Sequence, residues 1–543
     1  MGTIAELVGR TLAALGVGHA FGVVGSGNFH VTNALRDGGV AFTATRHEGG
    51  AATIADAYAR ISGRVGVLSV HQGCGLTNAM TGITEAAKSR TPLIVLAAET
   101  GAGAVRSNFR IDQSALVTAV GAVSDRVHSP ATALTDTVRA FRTAVQQRRT
   151  VVLNLPLDVQ AAPAPGGWTV PAVPALHPVR PGADAVAELA ALIHASQRPV
   201  FVAGRGALHA REELRSLASA VGALVATSAV ANGLFHDDEW SLGVSGGFAS
   251  PLAAELISGA DLVVGWGCAL NMWTMRHGAL IGPDAKVVQV DDDADAIGAH
   301  RRVDLGVLGD VAATAADTLA EFPRRRTRYR TADVHDAIAK RVRWRDVPHE
   351  DITGPDGIDP RTLSVALDDL LPAERVVAVD SGNFAGYPMA YLRVPDEQGS
   401  SFTQGFQSIG LGLATAIGAA VARPDRLAVA ALGDGGALMA AAELETVVRL
   451  GLSMAVIVYN DRGYGAEVHH FVDGDLTTVK FPDTDIAAIG RGYGFDAVTV
   501  RTPADLAGVS AWVAGPRDKP LLVDAKIASD GGAWWLAEAF KGH

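Results

Sequence analysis

The chain has 543 residues, of which 48% are hydrophobic and 19% charged, and its formal net charge is −11. This composition excludes a disordered chain, and the acidic balance argues against a nucleic-acid-binding protein. At about 100–200 residues per domain, the length predicts about three domains. Two cysteines, Cys74 and Cys268, are too few for a disulfide framework and favour a reducing compartment, with the cytoplasm as the default.

The beginning of the chain has no basic flank followed by an apolar core, so it does not resemble a secretory signal. The most apolar windows fall short of the roughly 18 uninterrupted apolar residues that a membrane helix needs. We therefore expect a cytoplasmic protein with neither membrane nor nucleic acid as a partner.

Short apolar runs that could form strands alternate with Ala- and Leu-rich helical stretches along the whole chain. Runs of this kind, buried on both faces and separated by helices, are typical of parallel sheets in α/β domains. The predicted strands cover residues 65–70, 93–97, 150–155, 200–203, 262–266, 287–290, 376–379, 427–432 and 454–459.

Two breaks interrupt this alternation. Residues 161–181 include six prolines and indicate an extended linker, and residues 322–345 hold an Arg-rich turn followed by a polar helix. We therefore predict three doubly wound α/β domains, at 1–160, 182–325 and 350–543.

Two aspartates follow neighbouring predicted strands at the point where each strand ends. Asp434 lies in a glycine-rich segment and Asp461 in a polar turn. The carboxyl ends of both strands of a parallel βαβ unit lie at one edge of the sheet, and two carboxylates meeting there suit Mg²⁺. The neighbouring glycines permit close backbone approach, and the N-terminus of a following helix, expected over 440–450, favours an anion. The sequence therefore predicts an Mg²⁺-assisted diphosphate site in an acidic protein.

The whole arrangement resembles the thiamine diphosphate motif, in which Gly-Asp-Gly is followed some way downstream by a polar turn containing asparagine. The resemblance implies that Asp434, Asp461 and the carbonyl of Gly463 are the protein ligands of Mg²⁺. The family usually has Asn-Asn at the second position, so Asn460 stays open as the ligand in place of Asp461. Upstream, Ile409 matches the bulky residue that wedges between the two rings of the cofactor. The other cofactor-binding residues that the resemblance implies are Gly382, Asn383, Ser408, Gly433, Gly435, Gly436, Tyr464 and Gly465.

Glu48 lies in the block 45–66, which opens with this carboxylate at the end of an apolar run and continues as a helix. Taken alone, this carboxylate could simply complement a helix dipole. The surrounding residues resemble the pyrimidine-binding domain of thiamine diphosphate enzymes of the acetohydroxyacid synthase and benzoylformate decarboxylase group. The resemblance implies that Glu48 protonates N1′ of the aminopyrimidine, which requires a carboxyl in a dry site. It also implies a homodimer or homotetramer, because in the family this domain faces the diphosphate domain of another subunit.

The middle of the chain resembles the central domain of the same enzymes at residues 198–206 and 260–267. In acetohydroxyacid synthases this domain holds FAD. Residues 268–273 lack the arginine and the paired aspartates of that site, so FAD is doubtful and we expect a Rossmann-like domain without it.

The resemblance implies a reaction in which a 2-oxo acid loses carbon dioxide and the remaining acyl unit is protonated or transferred. Ser26 and His71 match pocket residues of benzoylformate decarboxylases, and Glu467 matches a proton-relaying glutamate of pyruvate decarboxylases. Gln113 instead matches a glutamine near the thiazolium of acetohydroxyacid synthases. We predict decarboxylation of a 2-oxo acid with carboligation to an acceptor carbonyl. The alternatives are a simple decarboxylase that releases an aldehyde, a non-decarboxylating C–C lyase or hydrolase of the superfamily, and a regulatory homologue without turnover.

Overall fold

Three parallel six-stranded sheets form the framework of the protein. The computed structural model describes the backbone of residues 2–539 and side chains as far as residue 536. Every strand pair within the three sheets is parallel, which confirms the predicted α/β class with three sheet domains. Over the described part of the chain, the helices are too short or too polar to cross a membrane.

The N-terminal sheet has the strand order β2-β1-β3-β4-β6-β5. Its strands are β1 (His19–Gly22), β2 (Ala41–Ala44), β3 (Gly66–Val70), β4 (Leu93–Glu99), β5 (Val123–Arg126) and β6 (Thr150–Pro156). Its helices are α1 (Ile4–Ala14), α2 (Phe29–Asp37), α3 (Glu48–Ser62), α4 (Cys74–Lys88), α5 (Gln113–Ala119), α6 (Ala133–Gln146) and α7 (Leu157–Ala161). The segment between α7 and the next helix contains neither helix nor strand, as its prolines predict.

The middle sheet has the order β12-β11-β10-β7-β8-β9, which is the Rossmann order when its strands are counted from one. Its strands are β7 (Pro199–Ala203), β8 (Leu224–Thr227), β9 (Ser241–Val244), β10 (Leu262–Trp266), β11 (Lys286–Asp291) and β12 (Leu305–Leu308). Its helices are α8 (Ala183–Ala195), α9 (Arg211–Val221), α10 (Pro251–Ser258) and α11 (Val311–Ala320), and α12 (Ala332–Arg341) is the predicted polar helix that leads to the last domain.

The C-terminal sheet, in the order β14-β13-β15-β16-β18-β17, repeats the topology of the N-terminal sheet. Its strands are β13 (Arg375–Val379), β14 (Ser400–Phe402), β15 (Leu427–Gly433), β16 (Met454–Asn460), β17 (Asp496–Val500) and β18 (Leu521–Lys526). Its helices are α13 (Pro360–Leu370), α14 (Gly386–Tyr391), α15 (Gly412–Ala422), α16 (Asp434–Met439), α17 (Glu443–Arg449), α18 (Gly465–His470), α19 (Ile486–Tyr493), α20 (Ala507–Ala514) and α21 (Trp534–Ala539).

All nine apolar runs that predict strands are strands, with ends within two residues of the prediction. The helix predicted over 440–450 is different. Only α17 (Glu443–Arg449) falls within that range, and a separate helix, α16, begins at Asp434, directly after the strand. The glycines of this segment have no side chains to clash with their neighbours, so the chain turns into a helix without an intervening loop.

The N-terminal and C-terminal domains of one chain share a hydrophobic core. Helix α3 packs against α15, with Ile54 and Ile417 among the buried residues of this core. A Cβ atom at Gly418 would lie only 2.4 Å from the carbonyl oxygen of Ile54. Glycine at this point therefore permits the close approach of the two helices, which fixes both domains relative to each other.

Candidate active site

The C-terminal sheet reverses its strand order between β13 and β15, and open α/β sheets bind ligands beyond the carboxyl ends of strands at such a point. Gly382 and Asn383 follow β13, and Asp434 follows β15. Gly433 pairs with Tyr459 in the neighbouring strand, so Asp434 lies at the same level as the start of the polar turn. The predicted cofactor residues of this domain thus lie at the ligand-binding edge of their sheet.

The carboxylates of Asp434 and Asp461 meet closely enough to share a hydrogen bond. Burial raises the pKa of both groups, and the neighbouring Asp434 contributes to raising the pKa of Asp461 to about 8. Within residues 2–539 there is no group of three or more His, Cys, Asp or Glu side chains that could hold a metal. Two carboxylates with a backbone carbonyl nevertheless fit Mg²⁺, which takes few protein oxygens and completes its octahedron with phosphate or water.

Asn460 is engaged elsewhere, which bears on the choice of the second metal ligand. It is 1% exposed, its Nδ2 donates to Oδ1 of Asp524 at 2.9 Å, and its Oδ1 accepts the N–H of Arg462 at 3.2 Å. Asp461, in contrast, is directed at Asp434. Asn460 is therefore held by its neighbours, whereas Asp461 faces the other carboxylate of the site.

Three glycines leave room where a side chain would collide with the site. A Cβ atom would lie 2.7 Å from the ring of Tyr464 if placed at Gly435, and 2.1 Å from Oδ2 of Asp461 if placed at Gly465. At Gly436 it would lie 2.3 Å from Oδ2 of Asp380. A side chain at any of these positions would force a neighbouring group to shift, so glycine lets the backbone lie close to the side chains of the site.

A cavity of about 1380 Å³ opens at this edge and continues to the ends of β7 and β10 in the middle domain. Glu467, on α18, also lines it. Ser408 is not among its lining residues, and its hydroxyl donates to the carbonyl of Ile409 at 3.1 Å. The predicted cofactor residues that line it are Gly382, Asn383, Ile409, Gly433, Asp434, Gly435, Gly436, Asp461, Gly463, Tyr464 and Gly465.

Ser26 and His71 lie together at the corresponding edge of the N-terminal sheet, beyond β1 and β3. His71 Nδ1 lies 3.0 Å from the carbonyl oxygen of Gln72, which can only accept, so this nitrogen carries the proton. The Nε2 atom lies 3.4 Å from Ser26 Oγ, so the two side chains are within hydrogen-bond distance. The two residues that the sequence places 45 positions apart thus form one polar pair.

Glu48 is the first residue of α3, and its Oε2 accepts a hydrogen bond from Nδ2 of Asn78 at 3.0 Å. Gln113 lies deeper, with 2% of its surface exposed. Its Nε2 donates to the carbonyl of Ala98 at 3.2 Å and to Asn154 at 2.7 Å, while its Oε1 accepts the N–H of Gly73 at 3.0 Å. Both ends of the Gln113 amide are therefore used in holding the chain beside His71.

The two sets of predicted residues are not joined within one chain. Among the described residues, Glu48, Ser26, His71 and Gln113 do not line the cavity that contains Asp434. The acid predicted for the aminopyrimidine and the metal site predicted for the diphosphate thus belong to separate surfaces of the same chain.

Two buried carboxylates that the motifs did not reveal, Asp380 and Glu443, bind backbone amides next to the predicted site residues. Oδ2 and Oδ1 of Asp380 accept the N–H groups of Gly410 at 2.9 Å and Leu411 at 3.2 Å, and burial raises the pKa of Asp380 to about 6. Its position directly after a predicted strand was a signal that could have found it. Glu443, on α17, accepts the N–H groups of Arg46 at 3.1 Å and His47 at 2.9 Å, just before Glu48. No local pattern marks Glu443, because its partners lie almost 400 residues away.

Comparison with protein families gives three matches along the chain. Residues 2–116 match the thiamine pyrophosphate enzyme N-terminal TPP binding domain, residues 186–318 the central domain, and residues 380–525 the C-terminal TPP binding domain.

Curated relatives match over nearly the whole chain. A sulfoacetaldehyde acetyltransferase from Alcaligenes xylosoxydans xylosoxydans is 29% identical over 92% of this chain and 89% of its own length. A probable 2-ketoarginine decarboxylase from Pseudomonas aeruginosa is 29% identical over 93% and 90%. The acetolactate synthase large subunit of Parasynechococcus marenigrum is 29% identical over 94% and 85%. These names describe different reactions, so the relatives do not determine the activity of this chain.

Proposed function

The chain belongs to the thiamine pyrophosphate enzyme family, and from this premise we propose that it is a thiamine diphosphate- and Mg²⁺-dependent enzyme that decarboxylates a 2-oxo acid and transfers the acyl unit to an acceptor carbonyl compound. The observation that carries the cofactor assignment is the meeting of Asp434 and Asp461 at the edge of the large cavity. These carboxylates and the carbonyl of Gly463 would hold Mg²⁺ and, through it, the diphosphate.

When bound, thiamine diphosphate supplies an electron sink for the charge that carbon dioxide leaves behind. The remaining work falls to side chains of this protein. Ile409 would hold the two rings in their reactive arrangement, and Glu48 would hold a proton at N1′. Ser26, His71 and Glu467 would exchange protons with the substrate, and Gln113 would keep the His71 segment in place.

We propose that a second copy of the chain completes each site, in a homodimer or a pair of dimers. The separation of Glu48 from the cavity supports this, because a carboxyl must reach hydrogen-bond distance of the ring nitrogen to act. Exposed apolar side chains near both surfaces also support it. Phe109, 44% exposed, packs edge-on against His71, and Met439, 57% exposed, lines the cofactor cavity.

Mixing two inactive variants tests the shared site. We expect Glu48→Gln and Asp434→Ala to be inactive separately and to recover activity when subunits exchange, because a mixed dimer contains one intact site. Random exchange would restore about a quarter of wild-type activity. Two differently tagged Glu48→Gln chains, mixed in the same way, provide the control. If mixed dimers form, as judged by co-purification of the tags, and stay inactive, the shared site is wrong.

Transfer rather than simple decarboxylation is supported by two of the three relatives described above, whose names are acetyltransferase and synthase. The test is incubation of the loaded enzyme with a panel of 2-oxo acids, with and without trial aldehyde or keto acceptors. We expect carbon dioxide together with a 2-hydroxy ketone when the acceptor is an aldehyde, or a 2-hydroxy-3-oxo acid when the acceptor is a second 2-oxo acid. Accumulation of free aldehyde alone would indicate a simple decarboxylase, turnover without carbon dioxide would indicate a lyase or hydrolase, and no turnover would favour a regulatory homologue.

We propose that the middle domain binds no flavin, so the purified protein should show no flavin absorbance. We propose a cytoplasmic location, because the two cysteines of the chain, Cys74 and Cys268, are too few for a disulfide framework.

A further inference from the structure

We propose that Glu85, on α4 of the N-terminal domain, is a positioning residue that holds the loop carrying Ile409 in place for the cofactor of the same chain. This inference rests on the proposed function, in which Ile409 contacts both rings of thiamine diphosphate. The loop in question, residues 405–411, is called the wedge loop below.

Glu85 reaches the beginning of the wedge loop from another domain. Its side chain is fully buried, its Oε1 accepts the N–H of Gly405 at 3.0 Å, and its Oε2 accepts the N–H of Phe406 at 2.7 Å. The two oxygens thus bind two consecutive backbone amides of a segment 320 positions away. Hydrogen bonds from amides to an ionised carboxylate are stronger than those between neutral groups.

The carboxylate is kept charged by its other partners. Arg60 Nη2 lies 2.8 Å from Oε1, and the hydroxyl of Ser89 donates to the same oxygen at 3.0 Å. Burial would raise the pKa of Glu85, but Arg60 and the amides of the wedge loop outweigh it and lower the pKa below its usual value. Glu85 therefore presents a fixed, ionised acceptor to the loop at neutral pH.

The other end of the wedge loop is bound in the same manner by Asp380, which accepts the N–H groups of Gly410 and Leu411. Ile409 thus lies between two pairs of backbone amides, each pair held by one buried carboxylate. Glu85 ties the loop to the N-terminal domain, and Asp380 ties it to the C-terminal sheet. Removing either tie would let the intervening residues move relative to the cavity.

The fit at the Glu85 end is tight. A Cβ atom at Gly405 would lie 2.7 Å from Oγ of Ser89 and 3.1 Å from Oε1 of Glu85, so only glycine brings the backbone this close. Glu85 therefore binds the start of the wedge loop, and Ser89 together with Glu85 leaves little room for a side chain at Gly405.

The experiment compares Glu85→Gln and Glu85→Ala with Asp56→Asn. Asp56 is a buried carboxylate that also pairs with Arg60 but makes no hydrogen bond to the wedge loop, so it controls for damage to the ion cluster alone. Hydrogen exchange of the amides of residues 405–411 is measured in the cofactor-free proteins. Thiamine diphosphate affinity and the circular dichroism of the bound aminopyrimidine are measured with Mg²⁺.

We expect Glu85→Gln to speed exchange across the wedge loop, to weaken thiamine diphosphate binding about tenfold and to reduce the dichroism at saturation. Asp56→Asn should change none of these beyond its effect on stability. Unchanged exchange in Glu85→Gln would overturn the inference, as would faster exchange with wild-type affinity and dichroism. If Glu85→Ala does not fold, Glu85→Gln still tests whether Glu85 holds the wedge loop, because glutamine keeps the shape of the side chain. Failure of the wild type to bind thiamine diphosphate would refute the proposed function instead, and the exchange data would then decide by themselves whether Glu85 holds the loop.

Discussion

Replacing Asp461 with asparagine should change how many protons the protein releases when it binds Mg²⁺. In the metal-free protein, burial and the adjacent Asp434 raise the pKa of Asp461 to about 8. The pair therefore retains about 0.9 of a proton at pH 7, about 0.5 at pH 8 and about 0.1 at pH 9. A bound cation requires both carboxylates to be ionised, so this proton must leave on binding.

The sign of the pH dependence follows from this release. Below pH 8 the proton competes with the cation, so the affinity for Mg²⁺ should rise about tenfold for each pH unit and level off above pH 8. In Asp461→Asn the shared proton is lost with the carboxylate, so binding should be weaker and nearly independent of pH above pH 7.

Calorimetry of Mg²⁺ binding in two buffers of different ionisation enthalpy counts the released protons. The difference between wild type and Asp461→Asn at pH 7 isolates the pair from any proton that the cofactor phosphate releases. Asp475→Asn, which changes an exposed carboxylate of the same domain, should behave like wild type. Equal proton release by wild type and Asp461→Asn would refute the assignment of Asp461 as a ligand.

Three further results are expected. Gly436→Ala should abolish retention of thiamine diphosphate in calorimetry, because the added Cβ atom would lie 2.3 Å from a carboxylate oxygen of Asp380. The control Gly492→Ala has open space around the added atom and should bind thiamine diphosphate normally in the same assay. Glu443→Ala should lower the melting temperature, since each backbone N–H left unpaired costs about 1–3 kcal/mol. It should also reduce kcat more than cofactor affinity, because the amides that lose their partner directly precede Glu48. An unchanged kcat would contradict a role of Glu443 in holding this segment. Glu48→Gln should reduce kcat at least about a hundredfold while retaining the cofactor, and full activity of the purified variant would exclude its role as the acid.

The α/β class and the central strands could be predicted from the sequence because a strand covered by helices on both faces is a continuous apolar run. Edge and short strands lack that signal. Strand β5, for example, contains Ser124, Asp125 and Arg126, and none of its four residues is fully buried. The order of the strands, and with it the Rossmann pattern of the middle sheet, depends on pairing between distant segments that no local run encodes.

At the candidate site, the sequence by itself determined which chemistry is present: Asp434 and Asp461 after adjacent strands, glycines around them, and Glu48 at the start of a helix. Only the tertiary structure decided what each group is free to do. Asp524, 64 positions away on the paired strand β18, engages Asn460 and leaves Asp461 available. In the N-terminal domain, Ala98, Asn154 and Gly73 likewise occupy both ends of the Gln113 amide. The physical reason is that residue type and strand-end position are local properties, whereas hydrogen-bond partners are assigned by packing. Carboxylates such as Glu85 therefore acquire their roles only when domains hundreds of residues apart come into contact.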